Sequence, residues 1–328
     1  MPESFKSFPH AGLAIDPIHV GTGGSRLGRV DNTIVRDRVT RIPIIPGSSL
    51  AGVFRAYSAM AKGKYPDCAG QGQPKTNGSG GHCGKAECSI CMVFGFARGN
   101  LGGFAGLAGF SDAHVVLFPV ASREGPIWVT CPTALRLVKA FSEFPAVNGD
   151  AIYRQSDSQQ PLNVGWLVLP VKEKPTNWPA LCSQLKDLGV PDFIRDRMGV
   201  VSDKLFGHVV NSNLEVRTSV SIDPATGTAD EGALFTYEAI PRGTVLIWEL
   251  TCRNPKHFKI GNADVNVVDT PGKVHAVVSE ANSYVEHLGI GGMGTRGMGR
   301  LRVLNCSDSG AKESTSDSQA ATTGRGTP

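Results

Sequence analysis

Residues 41–62, RIPIIPGSSLAGVFRAYSAMAK, predict a turn that leads directly into a helix. Pro46 and Gly47 favour the turn, and Ser48 or Ser49 is of the residue type that caps a helix N-terminus. Apolar side chains then recur at helical spacing, at Leu50, Val53, Phe54 and Tyr57. A helix is therefore expected early in the chain, and the segments on either side of it decide the fold class.

Those segments contain both strands and helices. Residues 10–20 alternate in polarity as a first strand does, and WLVLPV at 166–171 predicts a buried strand. TALRLVKAFSEF at 133–144 predicts an amphipathic helix, and residues 178–210 are mostly helical in pattern. HLGIGGMGTRGMGRLRVL at 287–304 predicts a glycine-rich loop followed by a last strand. Strands and helices do not alternate regularly, so we expect the α+β class.

Composition places the chain among globular proteins. It has 328 residues, of which 41% are hydrophobic and 19% charged. No apolar run approaches the roughly 18 residues that span a bilayer, and the N-terminus lacks a secretory signal, so we expect a cytoplasmic protein with no membrane contact. Residues 307–328 carry no aromatic or branched aliphatic side chain, which predicts a disordered tail.

Arginine is clustered although the net charge is only +4. One cluster lies before the predicted helix and the other in the glycine-rich loop: Arg26, Arg29, Arg36, Arg38 and Arg41, then Arg296, Arg300 and Arg302. Arginine among glycines suits contacts with phosphate, because the guanidinium bridges two oxygens and glycine lets the backbone come near. A solvated charged face is the alternative.

Four of the eight cysteines fall in one polar, glycine-rich insertion at about 62–95, namely Cys68, Cys83, Cys88 and Cys91. Zn²⁺ in structural sites takes four such ligands, and the Cys-x-x-Cys turn at 88–91 supplies two from one tight loop. His82 is an alternative to Cys68 as the fourth ligand. Free thiols or a redox pair are the competing interpretations, and a disulfide framework does not fit a cytoplasmic chain. We therefore predict structural zinc.

Several stretches together resemble one family. They run in order along residues 10–304 and include IDPIHVGTGG at 15–24, LGRVDNTIVRD at 27–37, IPGSSLAGVFR at 45–55, CSICMVFG at 88–95, VVSDKLFGHVV at 200–210, IDPATGTADEGALFTYEAIP at 222–241 and GIGGMGTRGMGRL at 289–301. The chain resembles the RAMP superfamily of CRISPR proteins, most of all the Cmr-type (type III-B) backbone subunits of type III effector complexes.

The resemblance implies a modified ferredoxin-like, RRM-like core over residues 1–306, carrying the zinc module and a thumb-like β-hairpin at about 201–235. It also implies a ribonucleoprotein in which further copies of the chain line a guide (CRISPR) RNA beside other type III subunits. In such complexes the complementary target RNA is cut at regular intervals with Mg²⁺ or Mn²⁺.

The resemblance further implies a catalytic role for Asp31, the acid of the G-x-V-D stretch, as a base or as a metal ligand. His19 is a second catalytic candidate, with an RNA contact or a structural role as alternatives. Asp16, Asp37 and Asp112 are further acids that could take part.

The RNA-binding residues implied by the matched motifs are Arg29, Arg36, Ser48, Ser49, Arg55, Gly291, Arg296, Gly297 and Arg300. Free N–H groups at a helix N-terminus bind anions, which favours the two serines, although helix capping alone would explain them. Arg29 and Arg36 could instead pair with Asp31 or Asp37. The family often has lysine where this chain has Ala51.

Three other functions compete with a guide-binding endoribonuclease. The first is a scaffold subunit of the same complex that does not cut. The second is a metal-independent guide-processing endoribonuclease, which usually relies on histidine or tyrosine chemistry. The third is a zinc-containing ribosomal or transcription-related protein.

Overall fold

The computed structural model describes residues 4–23, 30–70, 81–97, 102–137, 147, 149–230, 234–260 and 263–305. The helices are α1 (Gly47–Ala61), α2 (Ser89–Phe94), α3 (Pro132–Arg136), α4 (Trp178–Asp187), α5 (Asp192–Arg195), α6 (Asp203–Ser212), α7 (Pro271–Ser279) and α8 (Asn282–Leu288), with 3-10 turns at Pro255–His257 and Gly294–Arg296. None of these helices is both long enough and apolar enough to cross a membrane.

The strands are β1 (Phe5–Ala14), β2 (Ile44–Ile45), β3 (Phe96–Ala97), β4 (Gly103–Phe104), β5 (Ala108–Phe110), β6 (Ala113–Ser122), β7 (Gly125–Thr130), β8 (Ile152–Arg154), β9 (Leu162–Val164), β10 (Leu167–Leu169), β11 (Val171–Glu173), β12 (Met198–Val200), β13 (Glu215–Ser219), β14 (Phe235–Ala239), β15 (Val245–Arg253), β16 (Lys259–Ile260), β17 (Ala263–Asp264) and β18 (Leu301–Val303).

One large mixed sheet organises the described chain. Its strand order is β11-β8-β12-β7-β6-β15-β1-β18, with β2 paired to β6 and β5 paired to β15. The centre is antiparallel, because β15 lies between β1 and β6 and runs opposite to both. Helices and strands together give the α+β class that the sequence predicts.

The sheet buries both of its faces, as alternation along β15 shows. Leu246, Trp248 and Leu250 belong to the core under α1, α7 and α8, whereas Val245 and Ile247 belong to the core under α3, α4 and α5. Successive side chains of a strand point to opposite faces, so a strand with apolar residues at every position needs cover on both sides.

The first strand differs from its prediction. β1 ends at Ala14 rather than continuing to residue 20, and it begins at Phe5. Pro17 has no backbone N–H to donate, and Ile18 makes only an isolated bridge with Ile240. The chain leaves the sheet there and runs towards the site described below.

Two later segments also differ. A short strand, β12, interrupts the helical region 178–210 because Met198 and Val200 are buried beside β7. The stretch 166–171 is not one buried strand: it contains β10 and the start of β11, and Trp166 lies outside β10 with 85% of its surface exposed.

The region predicted to hold the thumb contains a helix and part of a hairpin. Residues 203–212 are the core helix α6, whose Leu205, Phe206, Val209 and Val210 are buried. Strands β13 and β14 pair as an antiparallel hairpin, and the bounds of the thumb stay a prediction. The amphipathic pattern of α6 explains why it packs into the core and does not extend outward.

Candidate active site and metal centre

Strand β14 forms hydrogen bonds with both predicted catalytic residues, Asp31 and His19. Asp31 Oδ2 accepts hydrogen bonds from the backbone N–H of Thr236 at 2.7 Å and from its hydroxyl at 2.9 Å. The N–H of Asp31 donates back to the Thr236 hydroxyl at 3.1 Å. These bonds connect residues that are 205 positions apart in sequence, and they fix an exposed carboxylate to the edge of the hairpin.

The surroundings of Asp31 keep it charged. Its pKa is lowered, first by the backbone N–H of Thr236 and then by the Thr236 hydroxyl. A carboxylate with a lowered pKa is a weak proton acceptor at neutral pH and a good ligand for a cation. Both bonds from Thr236 go to Oδ2, and no described residue forms a hydrogen bond with Oδ1.

Arg36 binds the same strand. Its Nη2 donates to Glu238 Oε2 at 2.8 Å, its Nε donates to Asn211 Oδ1 at 3.1 Å, and its Nη1 donates to the carbonyl of Ile34. The Arg36 and Glu238 side chains are only 17% and 14% exposed. The guanidinium is therefore occupied inside the protein and is not a free RNA contact, contrary to the prediction. Its partner is Glu238 rather than Asp31 or Asp37.

His19 is held between the hairpin and the glycine-rich loop. Its Nδ1 lies 2.6 Å from the carbonyl of Glu238, its ring meets Tyr237 edge-on, and it is 7% exposed. The carbonyl must accept this bond, so Nδ1 carries the proton. A Cβ at Gly291 would lie 2.3 Å from the His19 carbonyl oxygen, which explains glycine there. A buried ring in these contacts positions β14; it is poorly placed to meet RNA.

The other predicted RNA-binding residues of the glycine-rich loop differ in how far contacts within the protein already occupy them. Arg296 is exposed and its Nη1 lies 3.4 Å from Ser219 Oγ at the end of β13. Gly297, with φ +75°, has open space where a Cβ would be. Arg300 is paired with Asp16 at the surface, and this hydrogen bond lowers the pKa of Asp16. Arg296 and Gly297 are thus the loop residues that a phosphate can approach most freely.

The N-terminus of α1 is already occupied. The N–H of Gly47 donates to Asp112 Oδ1 at 2.7 Å, and the N–H of Ser49 donates to the Pro46 carbonyl. No serine side chain caps the helix. A carboxylate at this position repels phosphate, so the structure does not support an anion site at Ser48 and Ser49.

Arg55 points into the protein. It is 8% exposed, and it donates from Nε to the Cys68 carbonyl and from Nη1 to the Gly95 carbonyl, both at 2.7 Å. Burial lowers its pKa, while the cysteines of the insertion raise it. Nε and Nη1 of Arg55 thus hold the cysteine-bearing segment against α1, whereas an RNA contact by this buried side chain stays a prediction.

The four cysteines of the insertion meet in one buried cluster. The sulfur atoms of Cys68, Cys83, Cys88 and Cys91 all lie within 4.8 Å of one another. Individual Sγ–Sγ distances are 3.7 Å for Cys68–Cys88, 3.6 Å for Cys83–Cys91 and 3.8 Å for Cys68–Cys91. Sulfurs about 2.3 Å from a tetrahedral Zn²⁺ are about 3.8 Å apart, so the cluster has the spacing of a metal site.

The four cysteines could thus supply all the ligands of a metal ion, and which residue is the fourth ligand stays a prediction. His82 lies beside the cluster, and both of its ring nitrogens are buried. Burial, followed by the charge of Arg55, lowers the pKa of His82, so the ring is held neutral. The cluster could hold a metal without it.

Four predictions lie wholly or partly outside the described residues. Arg29 belongs to residues 24–29, part of the zinc module belongs to 71–80, and the predicted disordered tail belongs to 306–328. Of the helix predicted at 133–144, only the part within α3 is described, because residues 138–146 lie outside. The prediction from sequence also missed Thr236 and Glu238, which anchor Asp31 and Arg36. Alternation in FTYEA gives a signal for them, because Tyr237 and Ala239 face the core beside Met298.

Comparison with known proteins gives a match over most of the chain. The RAMP superfamily profile matches residues 13–302. The CRISPR system Cmr endoribonuclease Cmr4 of Pyrococcus furiosus is 27% identical over 305 residues, which are 88% of this chain and 92% of that protein.

Solved structures show the same fold. A type III-B Cmr-beta complex bound to cognate target RNA contains a chain with a TM-score of 0.61 at 17% identity, covering 92% of this chain and 99% of that one. Oligomeric Cmr4 from Pyrococcus furiosus gives a TM-score of 0.56 at 18% identity, covering 92% of this chain and all of that one.

Proposed function

The chain belongs to the RAMP superfamily, and from this membership we propose that it is an endoribonuclease and the repeated backbone subunit of a type III CRISPR ribonucleoprotein. In this proposal copies of the chain line a guide RNA, and each copy cuts the complementary target RNA once. The observation that carries the proposal is the similarity to the endoribonuclease Cmr4 across nearly the full length of both proteins.

The topology supports a modified ferredoxin-like core. β1, α1, β6, β15, α7 and β18 follow one another as strand, helix, strand, strand, helix and strand. In the sheet, the four strands lie in the order β18-β1-β15-β6, with antiparallel neighbours throughout. This is the split βαβ arrangement of ferredoxin-like domains, and the remaining strands extend it at one side.

We assign Asp31 the role of cation ligand rather than general base. It is exposed and its lowered pKa keeps it anionic, while Thr236 occupies one oxygen and leaves the other free. Mg²⁺ or Mn²⁺ held there would supply positive charge to stabilise the phosphate during RNA cleavage. The rigid pairing of Asp31 with Thr236 fixes where that charge is placed.

The hairpin and the glycine-rich loop form the proposed RNA surface. Val220, Ile222 and Leu234, in the segment between β13 and β14, are 41%, 52% and 66% exposed. Exposed aliphatic side chains on an extended hairpin can be inserted between bases, as architectural proteins do. Arg296 lies beside Ser219, where β13 ends and the connecting segment begins, and with Gly297 it provides the phosphate contact.

We propose that the cysteine cluster holds structural Zn²⁺. The donor set is four thiols at tetrahedral spacing, and the guanidinium of Arg55 lies against the same segment. A zinc ion with four thiolates carries net negative charge, which a buried arginine offsets. The metal would connect the insertion to α1 and take no part in cleavage.

The proposal is tested by assembling the protein with guide RNA and adding complementary RNA and Mg²⁺ or Mn²⁺. We expect cuts at regular spacing from the wild type. Asp31→Ala should slow cleavage by about 10²-fold or more while target binding is unchanged. Asp269→Asn is the matched control, because Asp269 is also an exposed acid with a lowered pKa but lies at the start of α7.

Other outcomes distinguish the alternatives. Uncut target RNA from a wild-type complex that binds it would leave a scaffold subunit. Cutting that persists in Asp31→Ala or in a chelator would contradict the role of Asp31 and favour metal-independent chemistry.

A further inference from the structure

Trp166 is the most exposed tryptophan of the described chain, at 85% of its surface. It follows Gly165 in the two-residue turn between β9 and β10, and it makes no hydrogen bond or ring contact within the described residues. Val168, on the same side of β10, is 69% exposed. A large apolar ring in this position has no function in the stability of one copy.

The turn that carries Trp166 is rigidly attached. The N–H of Gly165 donates to the Ala121 carbonyl at 3.0 Å, and Asn163 Oδ1 accepts from the N–H of Arg123 at 2.7 Å. Gly165 has φ +61°, and a Cβ there would lie 2.2 Å from the Asn213 side chain. Exposed aromatic side chains on fixed supports are typical of interface hot spots, because little conformational entropy is lost on binding.

A cavity of about 330 Å³ lies elsewhere on the same chain. Its walls are mainly apolar and include Ile42, Ile44, Val115, Ala134 and Leu137. Carboxylates of Asp37 and Asp203 also line it, and the nearby Val39 is 90% exposed. An engineered cavity of about 150 Å³ holds benzene, so this one has room for an indole, whose N–H would meet an acidic acceptor.

The cavity and Trp166 lie at opposite ends of the same elements. His114 at the start of β6 lines the cavity, whereas Ala121 near the end of β6 holds the Gly165 turn. Seven residues of strand separate them by roughly 23 Å. Likewise, Asp203 and Gly207 of α6 line the cavity, and Asn213 beyond its C-terminus touches Gly165. A copy therefore cannot fill its own cavity with its own Trp166.

We propose that Trp166 of one copy inserts into this cavity of the next copy. The inference rests on the proposed assembly of repeated copies and identifies the contact between them. Because the two surfaces are different and lie at opposite ends, the contact is head-to-tail and can repeat without closing. The occupant of the cavity is thus a second copy of this chain.

The decisive experiment is a disulfide cross-link between copies. The native thiol of Cys131 lines the cavity, so it is first replaced by Cys131→Ser. In that background Val168→Cys, which lies on the same side of β10 and leaves Trp166 in place, is combined with Leu137→Cys in one chain, assembled on guide RNA and mildly oxidised. We expect a ladder of multimers. A mixture of the two single variants should stop at dimers, and each single variant alone should stay monomeric under the same oxidation.

Self-association on guide RNA gives an independent measurement. Trp166→Ala should weaken it by at least tenfold, and so should Gly207→Leu, which fills the cavity from α6. The nearest atom to a Cβ at Gly207 is the Thr40 carbonyl oxygen at 3.9 Å, so a Cβ fits there, and circular dichroism with an unfolding curve checks that the leucine variant keeps the fold. Combining the two changes should add little, because both remove the same contact. Leu288→Ala, an exposed leucine at the end of α8, is the control.

The results separate this inference from the proposed function. If wild type and Trp166→Ala assemble equally well and the double-cysteine chain forms no ladder, the contact is wrong and the endoribonuclease proposal stands. If wild type does not assemble on guide RNA at all, both fail. If Trp166→Ala loses RNA binding as a single copy, Trp166 contacts RNA and the proposed contact is again wrong.

Discussion

The cysteine cluster and the Asp31 site are built in opposite ways. The cluster takes its four residues from 24 consecutive positions, 68–91, and buries them beside α1. The Asp31 site joins segments 205 residues apart and leaves its carboxylate exposed. The first contributes mainly to stability, and the second should contribute mainly to activity. Substitutions in the cluster should therefore lower stability, whereas substitutions in the Asp31 site should lower activity.

Cys88→Ala should abolish metal binding and destabilise the protein most. Removing one ligand of a closed four-thiol site loses most of the metal's contribution to folding, on the order of 5 kcal/mol. Metal analysis of the purified protein and denaturant unfolding measure the two effects. Cys182→Ser, a half-buried thiol outside the cluster, is the control and should cost less than about 1 kcal/mol. Wild-type stability in a metal-free Cys88→Ala protein would contradict a structural metal.

Arg55→Leu should destabilise by about 2–4 kcal/mol and leave guide-RNA affinity unchanged in the folded protein. The substitution leaves the buried carbonyls of Cys68 and Gly95 without their donor. Unfolding curves and RNA titrations below the unfolding transition measure both quantities. A stable variant with weakened RNA binding would support the prediction from sequence that Arg55 contacts RNA.

Arg296→Ala should show the reverse pattern. Arg296 is exposed, so its loss should change stability by less than about 0.5 kcal/mol. Loss of one phosphate contact should weaken RNA binding several-fold and reduce the slope of log affinity against log salt by about one. Titrations at several salt concentrations measure it. An unchanged slope would remove Arg296 from the RNA surface.

Thr236→Val should have the smallest effect of the four substitutions, and we expect that effect in the pH dependence of the cleavage rate. If Asp31 binds a cation as proposed, its deprotonated form is the active one, and activity should fall as the pH drops through its pKa. Hydrogen bonds from Thr236 lower the pKa of Asp31. Loss of the hydroxyl should therefore raise that pKa and move the acid limb of the pH–rate profile to higher pH. At neutral pH we expect about fivefold slower cleavage for one lost hydrogen bond. Single-turnover rates measure both, and an acid limb that does not move would show that another group controls it.

Sequence reasoning succeeds where the relevant spacing is local. The cysteine cluster follows from the spacing of four residues in one segment, and α1 follows from its periodicity. The strand predicted at 166–171 is wrong because hydrophobicity alone does not distinguish an exposed apolar residue from a core residue. Trp166 is apolar and exposed, and nothing in the local sequence separates it from the buried Leu169.

The Asp31 site is predicted only in part for a related reason. Its residues come from the family resemblance, but their partners Thr236 and Glu238 lie on a strand about 200 positions later. Arg55 illustrates the same limit. The helical pattern identifies its neighbour Phe54 as a core residue, but it does not show that Arg55 faces the carbonyl of Cys68 in the folded insertion. Whether an arginine is available to a ligand depends on its hydrogen-bond partners far away in sequence, and the local sequence pattern carries no information about those partners.

The position of β1 has a consequence for synthesis. β1 hydrogen-bonds to β15 and, at Gly12–Ala14, to β18. A ribosome must therefore translate residues as late as Val303 before the first strand finds both of its neighbours. Prematurely terminated products lack that closure and expose the strand's edge, so quality-control proteases should recognise them, and only completed chains should enter assembly.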